Sequence, residues 1–315
     1  MKRLTALFAA LALTLSLTAC AAPKGVAEDG KVRVVSTIWP VHQWVTAILG
    51  ENPGEVESIL LIDSGVDPHS FQPAVSDILE LYTCDLLIYL GAESDKWVGE
   101  ALEGEVDENL QTLPLMETVA DDLCEADHDH DHAGHDHHDH EGADEHIWLS
   151  LKLAQTLCHH IAHELGRIDP ANAGHYEANA EGYIAALAAL DREYEQAVAA
   201  SHHPHLVFAD RFPFAYLAAD YGIHTDAAFP GCSAETEASF ATVMHLADAV
   251  EEHHLGSVLI IDGSDGSIAR TVVEATKEKS AAILTLHSMQ SELGEEDTYL
   301  SVMEENLEVL KKALA

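Results

Sequence analysis

The chain has 315 residues, of which 47% are hydrophobic, enough for one large domain or two smaller ones with buried cores. Its formal net charge is −40, with 15 Lys and Arg against 55 Asp and Glu. Such a chain has no basic surface to neutralise phosphates, which excludes a nucleic-acid partner and makes small cations the natural ligands.

The first 20 residues have the pattern of a bacterial export signal. Lys2 and Arg3 give the charged start, residues 4–17 are apolar but too few to span a bilayer, and Leu-Thr-Ala-Cys ends at Cys20. This ending resembles the lipobox of bacterial lipoproteins, which implies removal of signal peptide 1–20, lipid attachment to Cys20 and a tether over residues 21–31. We therefore expect an extracytoplasmic protein anchored by lipid to the cell membrane. An ordinary secreted protein is the alternative.

Strand and helix patterns alternate from residue 32 onward. Short apolar runs predict strands at 32–36, 56–62 and 86–89, and periodic runs predict helices from about Pro40 to Gly50, at 78–82 and at 151–165. This alternation predicts a mainly parallel sheet flanked by helices.

The longest helical pattern follows Asp169-Pro170, which we interpret as an N-cap and a first helical residue. The helix is expected to span residues 169–201, roughly 45 Å at ~1.5 Å per residue, long enough to join two lobes. A coiled coil is the alternative, but the pattern has too few heptads.

Alternation resumes after this helix. Strands are predicted at 206–209, 258–261 and 282–286, and helices at 214–221, 236–254, 268–279 and 298–313. We therefore predict an α/β protein with an N-terminal lobe at 32–168 and a C-terminal lobe at 202–315, each with a mainly parallel sheet flanked by helices, joined by one long linker helix.

A run of alternating imidazoles and carboxylates lies at 127–140 and cannot build a core, because nothing in it is more apolar than Ala. Imidazole is the commonest metal ligand, so the run predicts an auxiliary metal-binding loop. A solvated acidic loop and an expression tag are the alternatives, although a tag would be terminal and nearly pure His. The histidines of this loop are His128, His130, His132, His135, His137, His138 and His140.

The cysteines after Cys20 are Cys84, Cys124, Cys158 and Cys232, and no two of them form a C-x-x-C pair. A zinc ribbon is therefore not indicated. One or two disulfides are compatible with the expected compartment, with the pairing left open.

Metal-type ligands recur near the predicted strand ends, where open α/β sheets bind their ligands. His69 follows strand 56–62, Asp210 follows strand 206–209, and His287 follows strand 282–286, while His146 precedes helix 151–165. We expect two histidines of the first lobe and one or two ligands of the second to close around a single ion.

Four segments carry a resemblance to a known family. They are D-P-H-x-[FY]-x-P at 67–73, D-x-H-x-W-L at 144–149, D-P-x-N-x-x-x-Y at 169–176 and Y-L-x-x-M-x-x-N-L at 299–307. The chain resembles, over essentially its whole length, the solute-binding lipoproteins of zinc and manganese ABC importers. The resemblance implies two lobes that hold one divalent cation, a stiff linker helix that allows modest closure, and delivery of the ion to a membrane permease. It implies His69 and His146 as ligands, and we expect a monomer.

The C-terminal lobe departs from the family pattern. Where the family has H-x-A-[FY]-G-Y, this chain begins with Arg211, whose guanidinium cannot ligate a metal. His287-Ser288 stands where manganese members place Asp-Ser and would restore a three-histidine set, with Asp210 as a fourth, oxygen ligand. Glu235 and Glu237 are alternative ligands, and we expect Arg211 to pair with one of them. Three imidazoles and one carboxylate favour Zn²⁺ over Mn²⁺.

Two other classes compete with a zinc-binding or manganese-binding importer component. A zinc hydrolase is not favoured, since H-E-x-x-H and G-x-S-x-G are absent and His159 and His163 lack the required Glu between them. An extracellular zinc buffer or adhesin would use the 127–140 loop alone. We therefore predict a non-enzymatic zinc carrier.

Overall fold

The computed structural model describes residues 31–50, 56–63, 65–104, 106, 109–124, 143–231, 238–291 and 293–315. The predicted signal peptide with Cys20, the tether up to residue 30, the 127–140 loop, and Glu235 and Glu237 lie outside the described residues. Among the described helices, none is long and apolar enough to cross a membrane.

The first half of the chain forms a four-stranded parallel sheet in the order β2-β1-β3-β4. Its strands are β1 (Val32–Ser36), β2 (Val56–Leu60), β3 (Leu86–Tyr89) and β4 (Gln111–Pro114). The accompanying helices are α1 (Trp39–Leu49), α2 (Val75–Thr83), α3 (Lys96–Leu102), α4 (Leu115–Thr118) and α5 (Leu151–Ile168).

The second half repeats this topology in the order β6-β5-β7-β8, again with parallel pairing. The strands are β5 (His205–Phe212), β6 (His224–Pro230), β7 (Ser257–Ile261) and β8 (Ala282–Leu286). The helices are α7 (Ala215–Tyr221), α8 (Phe240–Glu252), α9 (Ser267–Ala275) and α10 (Tyr299–Ala313). The predicted fold class, two parallel sheets flanked by helices, is confirmed, and the likeness of the halves extends to strand order.

The long helix α6 (Ala173–Ala200) has 28 residues, or about 42 Å at ~1.5 Å per residue. Its start corrects our prediction: Asp169 is the C-cap of α5, and Asn172 is the N-cap of α6. Proline disfavours the α conformation in the residue before it, so Asp169 ends one helix and does not begin the next. The Asp169 carboxylate accepts hydrogen bonds from Asn172 and from the Tyr176 hydroxyl, which fixes the turn between the helices.

Among the described residues, the largest hydrophobic core cluster runs through both halves, with a smaller cluster in each half beside it. Trp44 of α1 and Tyr299 of α10 meet edge to face with ring centroids 5.3 Å apart. The Tyr299 hydroxyl donates to the Trp148 carbonyl at 2.7 Å, and the Tyr194 hydroxyl of α6 donates to the Met303 carbonyl at 2.6 Å. The last helix therefore packs against elements of the first half and against α6.

The sequence patterns missed β4 and β6, which are both edge strands. Edge strands face solvent on one side and do not need the continuous apolar run of a central strand. In β6, His224 and Asp226 interrupt the apolar pattern, and in β4 the buried residue is Leu113.

The described cysteines Cys84, Cys124 and Cys158 are free thiols, so no two of these three form a disulfide. Cys84 and Cys158 are buried, and burial raises the pKa of the Cys84 thiol to about 12. These side chains act as small apolar groups of the core.

Candidate metal site

His69 lies on a single 3-10 turn, Pro68–Ser70, in the loop that follows β2. Asp67 caps this turn, since its Oδ1 accepts the backbone N–H of His69 at 3.0 Å. The ring Nδ1 of His69 lies 2.9 Å from Oε1 of Glu145, and the His69 side chain is 21% exposed. The cap and the carboxylate together fix the direction of the ring.

His146 directly precedes the 3-10 turn Ile147–Leu149 and is 2% exposed. Oδ1 of Asp144 accepts its backbone N–H at 2.9 Å and contacts its ring Nδ1 at 2.8 Å. The rings of His69 and His146 have centroids 5.6 Å apart, so the two predicted ligands of the first half lie together.

Each of these rings turns Nδ1 to a carboxylate, so a neutral ring keeps its proton there and its lone pair on Nε2. Burial opposes ionisation of Glu145, but hydrogen bonds from His69 and Ser94 lower the pKa of Glu145 to about 2. The Ser94 backbone N–H and hydroxyl donate to Oε2 of Glu145 at 3.0 and 2.6 Å. Glu145 is therefore ionised at neutral pH and holds the His69 tautomer that ligates a metal through Nε2.

Gln290 of the second half lies between these two rings. Its Nε2 is 3.1 Å from Nε2 of His69 and 3.1 Å from Nε2 of His146. A side-chain amide nitrogen has two N–H donors, so it can satisfy both lone pairs at once. The amide thus occupies the position in which a cation would contact both histidines. Sequence reasoning missed Gln290 because an amide is not a typical zinc ligand; the available signal was its place three residues after His287.

His287 follows β8 as predicted. Its Nδ1 accepts the backbone N–H of Met289 at 2.9 Å and lies 3.5 Å from Oδ2 of Asp262. Asn306 fixes its backbone through bonds of 2.7 and 2.8 Å. In this arrangement the proton of neutral His287 is on Nε2. Ligation through Nε2 would require the other tautomer, in which Nδ1–H faces Asp262.

Asp262 is suited to that second arrangement, because its side chain is 5% exposed and lies beside the ring. Burial opposes its ionisation, but His287 and the N–H donors of Ser288 and Ser291 lower the pKa of Asp262. Met289, between His287 and Gln290, has φ of 62°, a left-handed conformation that costs a non-glycine residue energy. The segment that carries both side chains is thus held in a strained turn.

Asp210 lies inside β5, and not after a strand as predicted, at a register shift between Phe208 and Arg211. A bulge of this kind re-aims side chains and is frequent beside functional sites. Oδ1 of Asp210 accepts the Arg211 backbone N–H at 2.9 Å, whereas its buried Oδ2 has no hydrogen-bond partner among the described residues. Such an oxygen is one that a cation could satisfy.

Arg211 contacts the first half of the chain. Its Nη1 lies 3.3 Å from Oδ2 of Asp67, whose other oxygen caps the His69 turn. We expected Glu235 or Glu237 as its partner; those residues lie outside the described part, and the partner that the structure gives is Asp67. The Arg211 side chain is 31% exposed, so the bond contributes modest stability and serves chiefly to orient Asp67.

The donor set at this place fits a divalent cation. Two imidazoles present Nε2 lone pairs to one point, and each has a carboxylate behind Nδ1. Asp210, whose Oδ2 has no hydrogen-bond partner among the described residues, adjoins Arg211, which contacts Asp67 of the His69 turn. Imidazole nitrogen with a carboxylate oxygen is the usual ligand chemistry of zinc. The residues therefore fit a bound Zn²⁺.

The family model described as "ZnuA: Zinc-uptake complex component A periplasmic" matches residues 34–313. The chain belongs to the ZnuA family. Similar proteins include the zinc-binding lipoprotein AdcA of Streptococcus pneumoniae serotype 4, with 31% identity over 99% of this chain and 61% of that protein. The high-affinity zinc uptake system protein ZnuA of Bacillus subtilis is 29% identical, over 99% of this chain and 98% of that protein. The chain thus spans about three-fifths of AdcA.

Solved structures share the fold of this chain. The Zn(II)-bound ZnuA-like domain of Streptococcus pneumoniae AdcA matches with a TM-score of 0.72 and 25% identity, over 90% of this chain and 99% of that domain. The metal-dependent lipoprotein YcdH of Bacillus subtilis matches with a TM-score of 0.74 and 26% identity, over 90% of this chain and 99% of that one. The predicted family resemblance is confirmed.

Proposed function

We propose that the protein is the extracytoplasmic, lipid-anchored component of an ABC importer that captures Zn²⁺ between its lobes and delivers it, as a monomer, to a membrane permease. The observation that carries the proposal is the convergence of His69 Nε2 and His146 Nε2 on one point, each ring held by a carboxylate at Nδ1. The zinc-binding names of the relatives and the zinc-bound neighbour support it.

On capture, metal–nitrogen bonds replace hydrogen bonds. The two N–H groups of Gln290 donate to the Nε2 lone pairs of His69 and His146 until Zn²⁺ takes their place. The second half then supplies the remaining ligands, for which His287 and Asp210 are our proposals. Both lie at the end of a strand or at a bulge, and the His287 turn is already strained at Met289. Imidazole-rich ligation favours zinc over manganese, which prefers oxygen.

The family is one of substrate-binding proteins of ABC importers and not of enzymes. The hydrolase alternative also lacks support in the geometry. His163 is 65% exposed on α5 and contacts its own neighbour Glu164, so it belongs to a solvated helix face.

The adhesin alternative gains no support from the structural neighbours. The laminin-binding adhesin of Streptococcus agalactiae is 24% identical to this chain, and that likeness shows the fold alone.

Calorimetric titration of the metal-stripped protein, begun after Cys20, tests the proposal. We expect one tight Zn²⁺ at the preorganised pair His69 and His146, whose ligation costs little further ordering, and additional ions bound weakly elsewhere in the chain. The tight class should disappear in the double variant His69→Ala/His146→Ala and persist in the control His163→Ala. Affinity should fall as the pH drops through about 6.5, where imidazole protonates. Retention of tight binding by the double variant would refute the site.

A further inference from the structure

A second cluster of metal-type side chains lies in the C-terminal half, at the other end of its sheet. His205 is the first residue of β5 and His224 the first of β6, and the two are paired in the parallel register. The cluster therefore borders the amino ends of these strands. The turn that carries His287 and Gln290 follows the carboxyl end of β8, so the cluster is separate from the candidate cleft site.

Asp226 is the centre of this cluster. Its Oδ2 lies 2.7 Å from Nε2 of His205, and its Oδ1 lies 3.0 Å from Nε2 of His245. The ring of His253 stacks on His205 with centroids 3.8 Å apart and planes inclined by 15°. Ligand atoms of His205, Asp226 and His253 all lie within 4.8 Å of one another, and the described part of the chain contains no other such group of three.

These side chains are placed by packed elements. Asp226 comes two residues after His224 on β6, so both point to the same face of the sheet. His245 lies on α8 and His253 is its C-cap, eight residues later, which is about two helical turns and so near the same side of the helix. Because α8 packs on β5 and β6, its histidines meet His205 and Asp226 without any loop to order.

The position of His253 favours a bound cation. His253 lies at the carboxyl end of α8, where the helix dipole stabilises positive charge. The neutral ring of a histidine is the form that ligates metals.

We propose that His205, Asp226 and His253 form an auxiliary Zn²⁺ site, with His245 as the fourth side chain. Tetrahedral zinc with bonds of ~2.0–2.2 Å needs ligand atoms about 3.3 Å apart. Because an imidazole lone pair lies in the ring plane, the rings of His205 and His253 must turn out of their stacked arrangement to close on the ion. The side chains of His205 and Asp226 are 14% and 22% exposed, which leaves an entry path for the ion. This site does not depend on zinc binding by His69 and His146.

Full-length protein in detergent, with Zn²⁺ as the probe, tests this site by histidine side-chain ¹⁵N NMR and by competition with a chromophoric chelator. We expect zinc to shift the ring nitrogen signals of His205 and His253, assigned by their loss in His205→Ala and His253→Ala. Asp226→Asn, which keeps the side-chain size, should bind one equivalent at least tenfold more weakly. His203→Ala, an exposed histidine nearby, is the matched control and should behave as the wild type.

The same measurements on His69→Ala/His146→Ala separate the two sites. This variant should lose the tight equivalent and keep the zinc-dependent shifts of His205 and His253. The auxiliary site is refuted if zinc leaves those signals unmoved in the wild type, or if Asp226→Asn matches His203→Ala in both stoichiometry and affinity. A cleft variant that binds as the wild type would count against the cleft proposal alone.

Discussion

The indole N–H of Trp148 donates a 2.9 Å hydrogen bond to the backbone carbonyl of Ser288. Trp148 is two residues after His146, and Ser288 is two residues before Gln290, so the bond sets the spacing between the two sides of the candidate site. Both residues are almost fully buried, at 2% and 0% exposure, where a hydrogen bond is electrostatically stronger than in water.

Replacing Trp148 by Phe removes this donor and leaves the Ser288 carbonyl without it. We expect Trp148→Phe to lower the free energy of unfolding by about 2–4 kcal/mol, from the lost bond and the smaller ring, and to weaken zinc binding. Urea unfolding and zinc titration measure the two effects. Trp97→Phe is the matched control, because the buried Nε1 of Trp97 has no partner among the described residues. Equal loss of zinc affinity in both variants would show that the bond does not position the site.

Gln290→Ala should distinguish the metal-free protein from the loaded one. Without the amide, two Nε2 acceptors lose their donor, so the metal-free form should be destabilised by about 1–3 kcal/mol. The loaded form should change little, because Zn²⁺ has replaced the amide, and zinc association should be faster. Thermal unfolding with and without zinc and stopped-flow mixing measure these effects. Equal destabilisation of both forms would mean that Gln290 also contacts the bound ion.

His287→Ala should cost as much zinc affinity as His69→Ala, since two imidazoles are fewer than the three or four protein ligands usual for specific zinc sites. Arg211→Ala should have a milder effect, because Arg211 only orients Asp67. Competition titration with a zinc chelator measures all three variants. An unchanged affinity in His287→Ala would direct the search for a third ligand to Asp210.

Glu145 gives a pH dependence of known sign. Its pKa falls from 4.5 to about 2 on folding, so the folded state favours the carboxylate. That stabilisation is complete above pH about 4.5 and is lost as the pH falls through about 2. The wild type should therefore exceed Glu145→Gln in unfolding free energy by on the order of 2–3 kcal/mol at pH 5. Urea unfolding of the metal-free proteins between pH 5 and pH 2 should show the gap closing; a gap independent of pH would contradict this role.

The fold was predictable where side-chain burial dictates a pattern. Central strands such as β1, β3 and β7 are apolar throughout or nearly so, and their bounds matched the predicted runs closely. The edge strand β6 carries His224 and Asp226 and does not show an apolar run, because one face of an edge strand can be polar. The start of α6 was placed too early because Asp-Pro suits both a helix start and the residues that end a helix.

The candidate site was predictable in part. The short motifs predict His69 and His146 as ligands, a prediction that stays untested, and the structure brings their rings together. The carboxylates beside them, Asp144 and Glu145, lie within one of those motifs. Gln290 contacts His69 and Arg211 contacts Asp67, and each of these pairs joins residues far apart in the chain. Such pairs follow from how the two halves pack, which periodicity along the sequence does not encode.

The contact between Trp44 and Tyr299 has a consequence for the order in which the molecule folds. Trp44 lies on α1 and Tyr299 opens α10, so their ring contact closes a loop that spans most of the chain. Forming a contact between residues so far apart has a larger entropic cost of loop closure than forming a local contact, and this slows folding. During synthesis, the first half must wait for α10 before its core is complete. We therefore expect a nascent chain that lacks its C-terminal residues to be less tightly packed, the state in which a polypeptide can still be threaded through a narrow channel.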